Sequence, residues 1–285
     1  GESVQLRFRQ FRFNYYAVIA LKARAYLWGG DKVNALVEAK RLLEDPKVKE
    51  YFPAVDPNKL LANNTNPDRV FSSEVLASVY MRSRDRIFLN YFSSTVSSSN
   101  FLQPHSTYVS GAQTSLFTHL LLGSETMDYR FQSQWERVVE ENAKGYVFTK
   151  YKAIDKPNSE SSDSEYFYSK MIPLVKLSEL YYIATECEPQ IEDGLKWYNE
   201  IRGKRGCPAI SESRVSLITS LGWSRLLAQE YIREFYGEGQ VFFFLKRITI
   251  MAGYPAGTVL PNDNGKELSR ATLNIVPPLP EGEMK

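Results

Sequence analysis

The sequence predicts a mainly α protein built on paired helices, with a loop-rich middle and a few short strands. Three observations carry this expectation. Residues 13–44 and 174–205 each read as two helices joined by a tight turn, with apolar residues at helical spacing. Residues 81–170 contain polar runs with no apolar period, at 93–100 (SSTVSSSN) and 158–164 (NSESSDS), which mark loops. The chain closes on Pro277-Pro278-Leu279-Pro280-Glu281, which excludes helix there.

In the first hairpin Tyr16, Ala20, Ala23 and Leu27 recur at helical spacing. Ala17, Ala20, Ala23 and Ala25 add small residues that let another helix approach closely. Gly29-Gly30-Asp31 ends that helix, and Asp31 is placed to cap the next. Ala35, Ala39, Leu42 and Leu43 line the return helix until Pro46 stops it. Two helices of about 12 to 16 residues around an alanine-rich seam resemble a tetratricopeptide unit. The pattern returns at 174–188 (LVKLSELYYIATECE) and 191–205 (IEDGLKWYNEIRGKR), divided at Pro189 and closed by Gly206 and Pro208. A third helix is expected over 216–236, then a bend at Gly237 and Gly239, then the strand-like run Val241-Phe242-Phe243-Phe244-Leu245. Residues 75–81 and 146–151 alternate as short strands do, and Trp28, Trp197 and Trp223 are expected in the helical core.

Composition narrows the function. A chain of 285 residues, 43% hydrophobic and 24% charged, is globular and long enough for one large domain or two small ones. Net charge is +2 with no long block of one sign, which argues against an electrostatic grip on nucleic acid or acidic lipid. The longest apolar stretches fall far short of a membrane-spanning helix. Gly1-Glu2-Ser3 lacks the sections of a signal peptide, so the opening reads as a processed or engineered start.

The screen for chemistry is mostly negative. His105 and His119 stand alone, without HExxH or CxxC, so no metal is expected. There is no GxSxG elbow. Cys187 and Cys207 fall on consecutive antiparallel helices, about 20 Å apart, beyond the roughly 7 Å reach of a disulfide, and are expected as free thiols. Gly237-Glu238-Gly239 and Gly29-Gly30-Asp31-Lys32 lack the spacings of phosphate cradles, and no cofactor is expected.

Paired carboxylates are the serious catalytic candidate. Glu230, Glu234 and Glu238 are four apart, so their Cβ atoms lie about 5 to 6 Å apart on one helix face, within the span of a glycosidase pair. The competing reading is structural. A glutamate pairs with Arg233, Lys246 or Arg247, or accepts backbone N–H groups at the Gly237–Gly239 bend. Loop aromatics are the remaining signal, because an exposed ring stacks on the apolar face of a sugar. Tyr108, Tyr129, Trp135, Tyr146 and Tyr151 are the candidates, with His105 as a polar contact. Their alternative role is to pack the loop region onto the helices.

Four ordered blocks resemble one family. They are residues 14–43 (NYYAVIALKARAYLWGGDKVNALVEAKRLL), 174–206 (LVKLSELYYIATECEPQIEDGLKWYNEIRGKRG), 230–247 (EYIREFYGEGQVFFFLKR) and 274–284 (NIVPPLPEGEM). Together they resemble the SusD/RagB family, the surface nutrient-binding lipoproteins of Bacteroidetes. The resemblance implies one SusD-like domain over 1–285, N-terminally truncated. Its parts would be a helical hairpin (1–50), a loop-rich region (81–170), a hairpin plus signature helix (171–250) and an extended tail (251–285). It implies a non-enzymatic lipoprotein on the outer face of the outer membrane. Such a protein captures an oligosaccharide or other nutrient for a SusC-like TonB-dependent transporter. Val241 and Phe244 stand where the family signature has Arg and Asp, so its usual ion pairing is expected to be missing. Two other readings are a tetratricopeptide-type protein-interaction module and a glycoside hydrolase using the glutamates above.

Overall fold

Asn14 starts the first helix, α1 (Tyr15–Trp28), and also ties it to the sheet. Its Oδ1 accepts from the Ala17 N–H at 3.0 Å, and its Nδ2 donates to the Leu76 carbonyl at 2.7 Å. The structure is a computed structural model that describes residues 12–61, 66–96, 101–102, 109, 116–119, 121–139, 144–154 and 167–251. The expected loop at 158–164 and the tail at 277–281 lie outside the described residues, as do His105 and Tyr108.

Gly30 takes φ of 82° after α1, the left-handed turn that glycine permits. Asp31 then caps α2 (Lys32–Leu43), accepting from the Asn34 N–H at 3.0 Å. Ala17, Ala20, Ala23, Ala35 and Ala39 are buried, which is the close helix contact their size allows. α2 stops short of Pro46, as expected, with Asp45 extended ahead of the proline ring. Pro46 opens a further short helix, α3 (Pro46–Tyr51), behind an Asp45 cap, where its missing N–H has no helical partner to lose.

The middle of the chain carries β1 (Val75–Tyr80), α4 (Asp85–Tyr91), the paired strands β2 (Thr118–His119) and β3 (Gly123–Ser124), and α5 (Tyr129–Gln134). The hairpin β4 (Trp135–Val139) and β5 (Lys144–Phe148) follows, then β6 (Met171–Lys176). β1 and β6 pair antiparallel, with Tyr80 opposite Met171 and Val75 opposite Lys176. The expected helix over 174–188 therefore starts late. Residues 174–176 extend as strand because β1 supplies backbone partners, and the helix α6 runs from Leu177 to Cys187.

Every residue of α6 except Glu186 is buried, the pattern of a central helix. It packs on α2 and on α7 (Ile191–Lys204). The expected helix over 216–236 is two helices, α8 (Val215–Leu221) and α9 (Trp223–Phe235), broken where Gly222 takes φ of 76°. The strand-like run at 241–245 is helical, inside α10 (Gln240–Met251). An unbroken apolar run carries no period of its own. Here Phe244 and Ile248 reach the core while Phe242 and Phe243 stay exposed, which is helical spacing. Phe244 stacks on Tyr231 at 4.0 Å between ring centroids and an interplanar angle of 17°.

One core cluster joins α1, α2, α6, α7, α9 and α10, and a second lies under the loop region around Phe88, Phe148 and Met171. Trp197 and Trp223 pack at the edge of the first cluster, half-buried rather than enclosed, and Trp28, also half-buried, meets the exposed Phe243 at 6.1 Å between ring centroids. Both cysteines are buried free thiols.

Gly194 marks the tightest helix approach. A Cβ there would lie 2.8 Å from the Thr185 carbonyl oxygen and 3.2 Å from Trp223 Cζ2, whereas Gly203 on the same helix meets nothing within 4 Å. In urea denaturation, Gly194→Val is expected to lose about 1 to 3 kcal/mol, while Gly203→Ala is neutral or gains up to about 1 kcal/mol. Equal effects at the two sites would refute the close contact.

Candidate functional site

α9 sets Glu230, Arg233 and Glu234 on faces that turn inward, and Glu238 follows in the bend after it. All three glutamate side chains are sealed from solvent, at no more than 2% exposure. Their partners come from distant segments. Glu234 accepts from Arg205 Nε and Nη2 at 2.9 Å, from Lys176 Nζ at 2.7 Å and from Arg130 Nη1 at 3.4 Å. Glu230 accepts from Arg130 Nη2 at 2.8 Å and Arg233 Nη1 at 3.0 Å, with Arg202 Nη1 at 3.5 Å. Glu238 accepts from Lys150 Nζ at 2.7 Å, with Lys176 Nζ at 3.5 Å.

The pairs form one connected network. Arg205 also holds Glu74, Arg233 and Arg202 both hold Glu125, and Arg130 is bidentate on Asp128. Six carboxylates (Glu74, Glu125, Asp128, Glu230, Glu234, Glu238) thus meet six cations (Arg130, Lys150, Lys176, Arg202, Arg205, Arg233). The sum is neutral. That balance matters because an unpaired charge in the interior costs several kcal/mol.

Of the expected partners, Arg233 meets Glu230, whereas among the described residues Lys246 and Arg247 meet none of the three glutamates. Arg233 faces Glu125 and Glu230, and donates to the Leu116 carbonyl at 2.6 Å. Arg247 makes a two-pronged pair with Glu186 at 2.6 and 2.7 Å. Lys246 makes no ion pair among the described residues. Glu234 and Glu238 instead meet cations that the fold brings from β6, the end of α7 and the segment after β5.

Electrostatics follow from the pairing. Burial pushes the Glu234 carboxyl up, but the Arg205 and Lys176 charges beside it reverse this and hold it well below the usual carboxylate range. Glu230 is likewise held low against its burial by Arg130, Arg233 and Arg202. Burial pushes the Lys150 ammonium down to about 8, against the pull of Glu238. His119 joins the edge of the network. Its Nδ1 accepts from the Leu121 N–H at 3.1 Å, so Nε2 carries the proton and faces the Tyr198 hydroxyl at 3.2 Å. Burial, and then the Arg202 charge, push His119 down to about 3.

Glu125, Asp128 and Cys207 have ligand atoms within 4.8 Å of one another. Both carboxylates are already committed to guanidiniums, and burial pushes the Cys207 thiol up. This is an ion-pair corner, with donors in place of a cation.

The loop aromatics divide. Trp135 and Tyr151 are interior, 6% and 1% exposed, and pack in the second core cluster, where the Tyr151 hydroxyl donates to the Gly237 carbonyl at 3.1 Å. They sit in or beside β4 and β5 instead of on open loops. Tyr129 is half-buried, and its ring covers Gly206, whose φ is 71°. Tyr146 is half-buried and packs on Phe131. Tyr108 and His105 lie outside the described residues. Sequence reasoning missed Arg130, Arg202, Arg205, Lys150 and Lys176. A signal was present in Thr149-Lys150-Tyr151 and Val175-Lys176-Leu177, where a cation interrupts an apolar stretch.

The helical hairpins thus carry a sealed, neutral ion cluster that takes up these acidic side chains. Residues 126–271, just over half of the chain, match the SusD family, and the chain belongs to that family. No curated protein matches it. Among solved structures it resembles a SusD-like carbohydrate binding protein from Bacteroides vulgatus at 16% identity and TM-score 0.51, over 85% of this chain and 46% of that one. It also resembles a SusD superfamily protein from Bacteroides thetaiotaomicron at 13% and 0.53, over 86% and 52%. A third is surface glycan-binding protein A from Bacteroides thetaiotaomicron in complex with laminarihexaose, at 15% and 0.52, over 93% and 59%. The chain spans about half the length of these structures, and at such identities the likeness is one of fold.

Two outcomes test the network. Glu234→Gln leaves the Arg205 and Lys176 charges short of a partner and is expected to cost about 3 to 5 kcal/mol in denaturant unfolding. Lys152→Ala breaks an exposed pair with Glu136 and is expected to cost less than about 1 kcal/mol. A Glu234→Gln loss as small as that of Lys152→Ala would mean the cluster is not holding the fold. His119 stays neutral in the fold but takes a proton when unfolded below its ordinary 6.5. The stability it contributes is therefore complete above that value and is lost as pH falls toward 3. Between about pH 6.5 and 4.5, stability should fall by up to about 1.4 kcal/mol per pH unit through this group. His119→Gln should flatten that slope, and an unchanged slope would exclude His119 as its source.

Proposed function

We propose that this protein binds a glycan at the cell surface and delivers it to a SusC-like TonB-dependent transporter, without catalysing a reaction on it. Residues 1–285 are read as part of one SusD-like domain, held at the external face of the outer membrane by an N-terminal lipid anchor. The match of residues 126–271 to the SusD family carries the reading. Two structures that share the fold support a glycan as the ligand class, one described as carbohydrate binding and the other holding laminarihexaose. The sealed glutamates support a binding role over hydrolysis. A glycosidase acid must reach the glycosidic oxygen, and Glu230, Glu234 and Glu238 are closed off behind arginines and lysines.

The ligand surface is proposed on the loop-rich half, which the rigid hairpins position. Tyr91 is 47% exposed at the end of α4, and its carbonyl accepts from the N–H of Leu102, itself exposed, at 2.7 Å. Tyr80 is 58% exposed at the end of β1, and Tyr146 presents part of its ring on β5. Calorimetric titration with β-1,3- and β-1,4-linked gluco-oligosaccharides is expected to give saturable binding, weakened about tenfold by Tyr91→Ala. A folded protein that binds no oligosaccharide of any linkage would end this reading.

A further inference from the structure

A second polar surface lies on the hairpin half, built only from α2, α6 and α7. Asp193, Lys196, Trp197 and Glu200 follow one another on α7 at spacings of three and four, so they project on one face. Lys40 of α2 and Glu188 at the end of α6 close the opposite side of a cleft of about 340 Å³, a size at the lower end of small-ligand sites. No residue of this cleft belongs to the sealed ion network.

Its groups are held in place yet incompletely used. Trp197 Nε1 donates to Glu188 Oε1 at 2.9 Å, and its ring meets Tyr181 at 6.2 Å between centroids. Lys40 Nζ reaches the same Glu188 oxygen at 2.6 Å, Lys196 Nζ reaches Asp193 Oδ1 at 2.8 Å, and the Tyr181 hydroxyl donates to Glu200 Oε1 at 2.8 Å. Each carboxylate therefore commits one oxygen and, among the described residues, leaves the other without a protein donor. Each ammonium has three N–H groups, and Lys40 and Lys196 each use one on a carboxylate.

We infer that this cleft binds a sugar ring, with the Trp197 ring against its C–H face and the Asp193 and Glu200 carboxylates, 47% and 39% exposed, on its hydroxyls. Neighbouring hydroxyls both donate and accept, and the cleft offers spare acceptors beside spare donors around one fixed aromatic. An organic cation would use the acceptors alone and leave the Lys40 and Lys196 donors unmatched. The inference goes beyond the function proposed above, because it needs neither the loop-rich surface nor the transporter.

The test titrates the intact protein with gluco-, xylo- and galacto-oligosaccharides, followed by calorimetry and tryptophan fluorescence. Asp193→Asn and Glu200→Gln alter side chains 47% and 39% exposed, which the fold tolerates. Each is expected to weaken binding by about tenfold or more, and Trp197→Phe to abolish the fluorescence change. The inference is overturned if all three variants, with unchanged melting, bind every sugar as the parent does. It is equally overturned if spermidine, and no sugar, perturbs Trp197. Weakening by Tyr91→Ala alone leaves the loop-surface reading standing and removes this one. Weakening by the cleft variants alone supports it, and binding of no sugar at all defeats both.

Discussion

The buried ion network is the constraint on which the rest of the structure depends. Twelve charges are withdrawn from water together, and each is tolerable only beside its partners. The partners are scattered along the chain, at 74, 125–130, 150, 176, 202–205 and 230–238. Docking one segment without the others would leave a sealed charge alone. The network therefore joins the loop-rich half to the helical hairpins as one cooperative unit, which apolar contact alone, being non-directional, would not specify as sharply.

That coupling bears on function. A binding surface assembled from loops needs a frame that does not shift when ligand arrives, and here the ends of α5, β5 and β6 are anchored to α7 and α9 by charge-assisted bonds. Acidic residues that resemble a catalytic constellation in sequence are consumed by this anchoring. The surfaces proposed for recognition, the exposed aromatics of the loop half and the mixed polar cleft of the hairpin half, lie apart from it.

Much of the helical half was legible in sequence, because its causes are local. The Gly30 turn, the Asp31 cap, the alanine seam and the break at Pro189 depend on neighbours within a few residues, and each is where the sequence analysis puts it, except that Ala25 is exposed and outside the seam. Errors occurred where a distant partner decided. Residues 174–176 are strand because β1 lies alongside. The run at 241–245 is helix because Phe244 finds Tyr231, and a stretch of five apolar residues has no period to reveal that. Gly222 was read through as helix, since an isolated glycine marks a break only when the chain takes a left-handed turn there.

Sequence by itself determined the hairpins and the free thiols, from spacing and residue type, and the family, from the resemblance of four ordered blocks. Tertiary structure alone decided which cations Glu234 and Glu238 meet, that Trp135 and Tyr151 are interior, and that Trp197 borders an open cleft. The physical reason is range. Helix caps and turns act over a few residues, whereas charge pairing and burial act across whatever the fold brings within a few ångströms, here segments separated by more than a hundred positions along the chain.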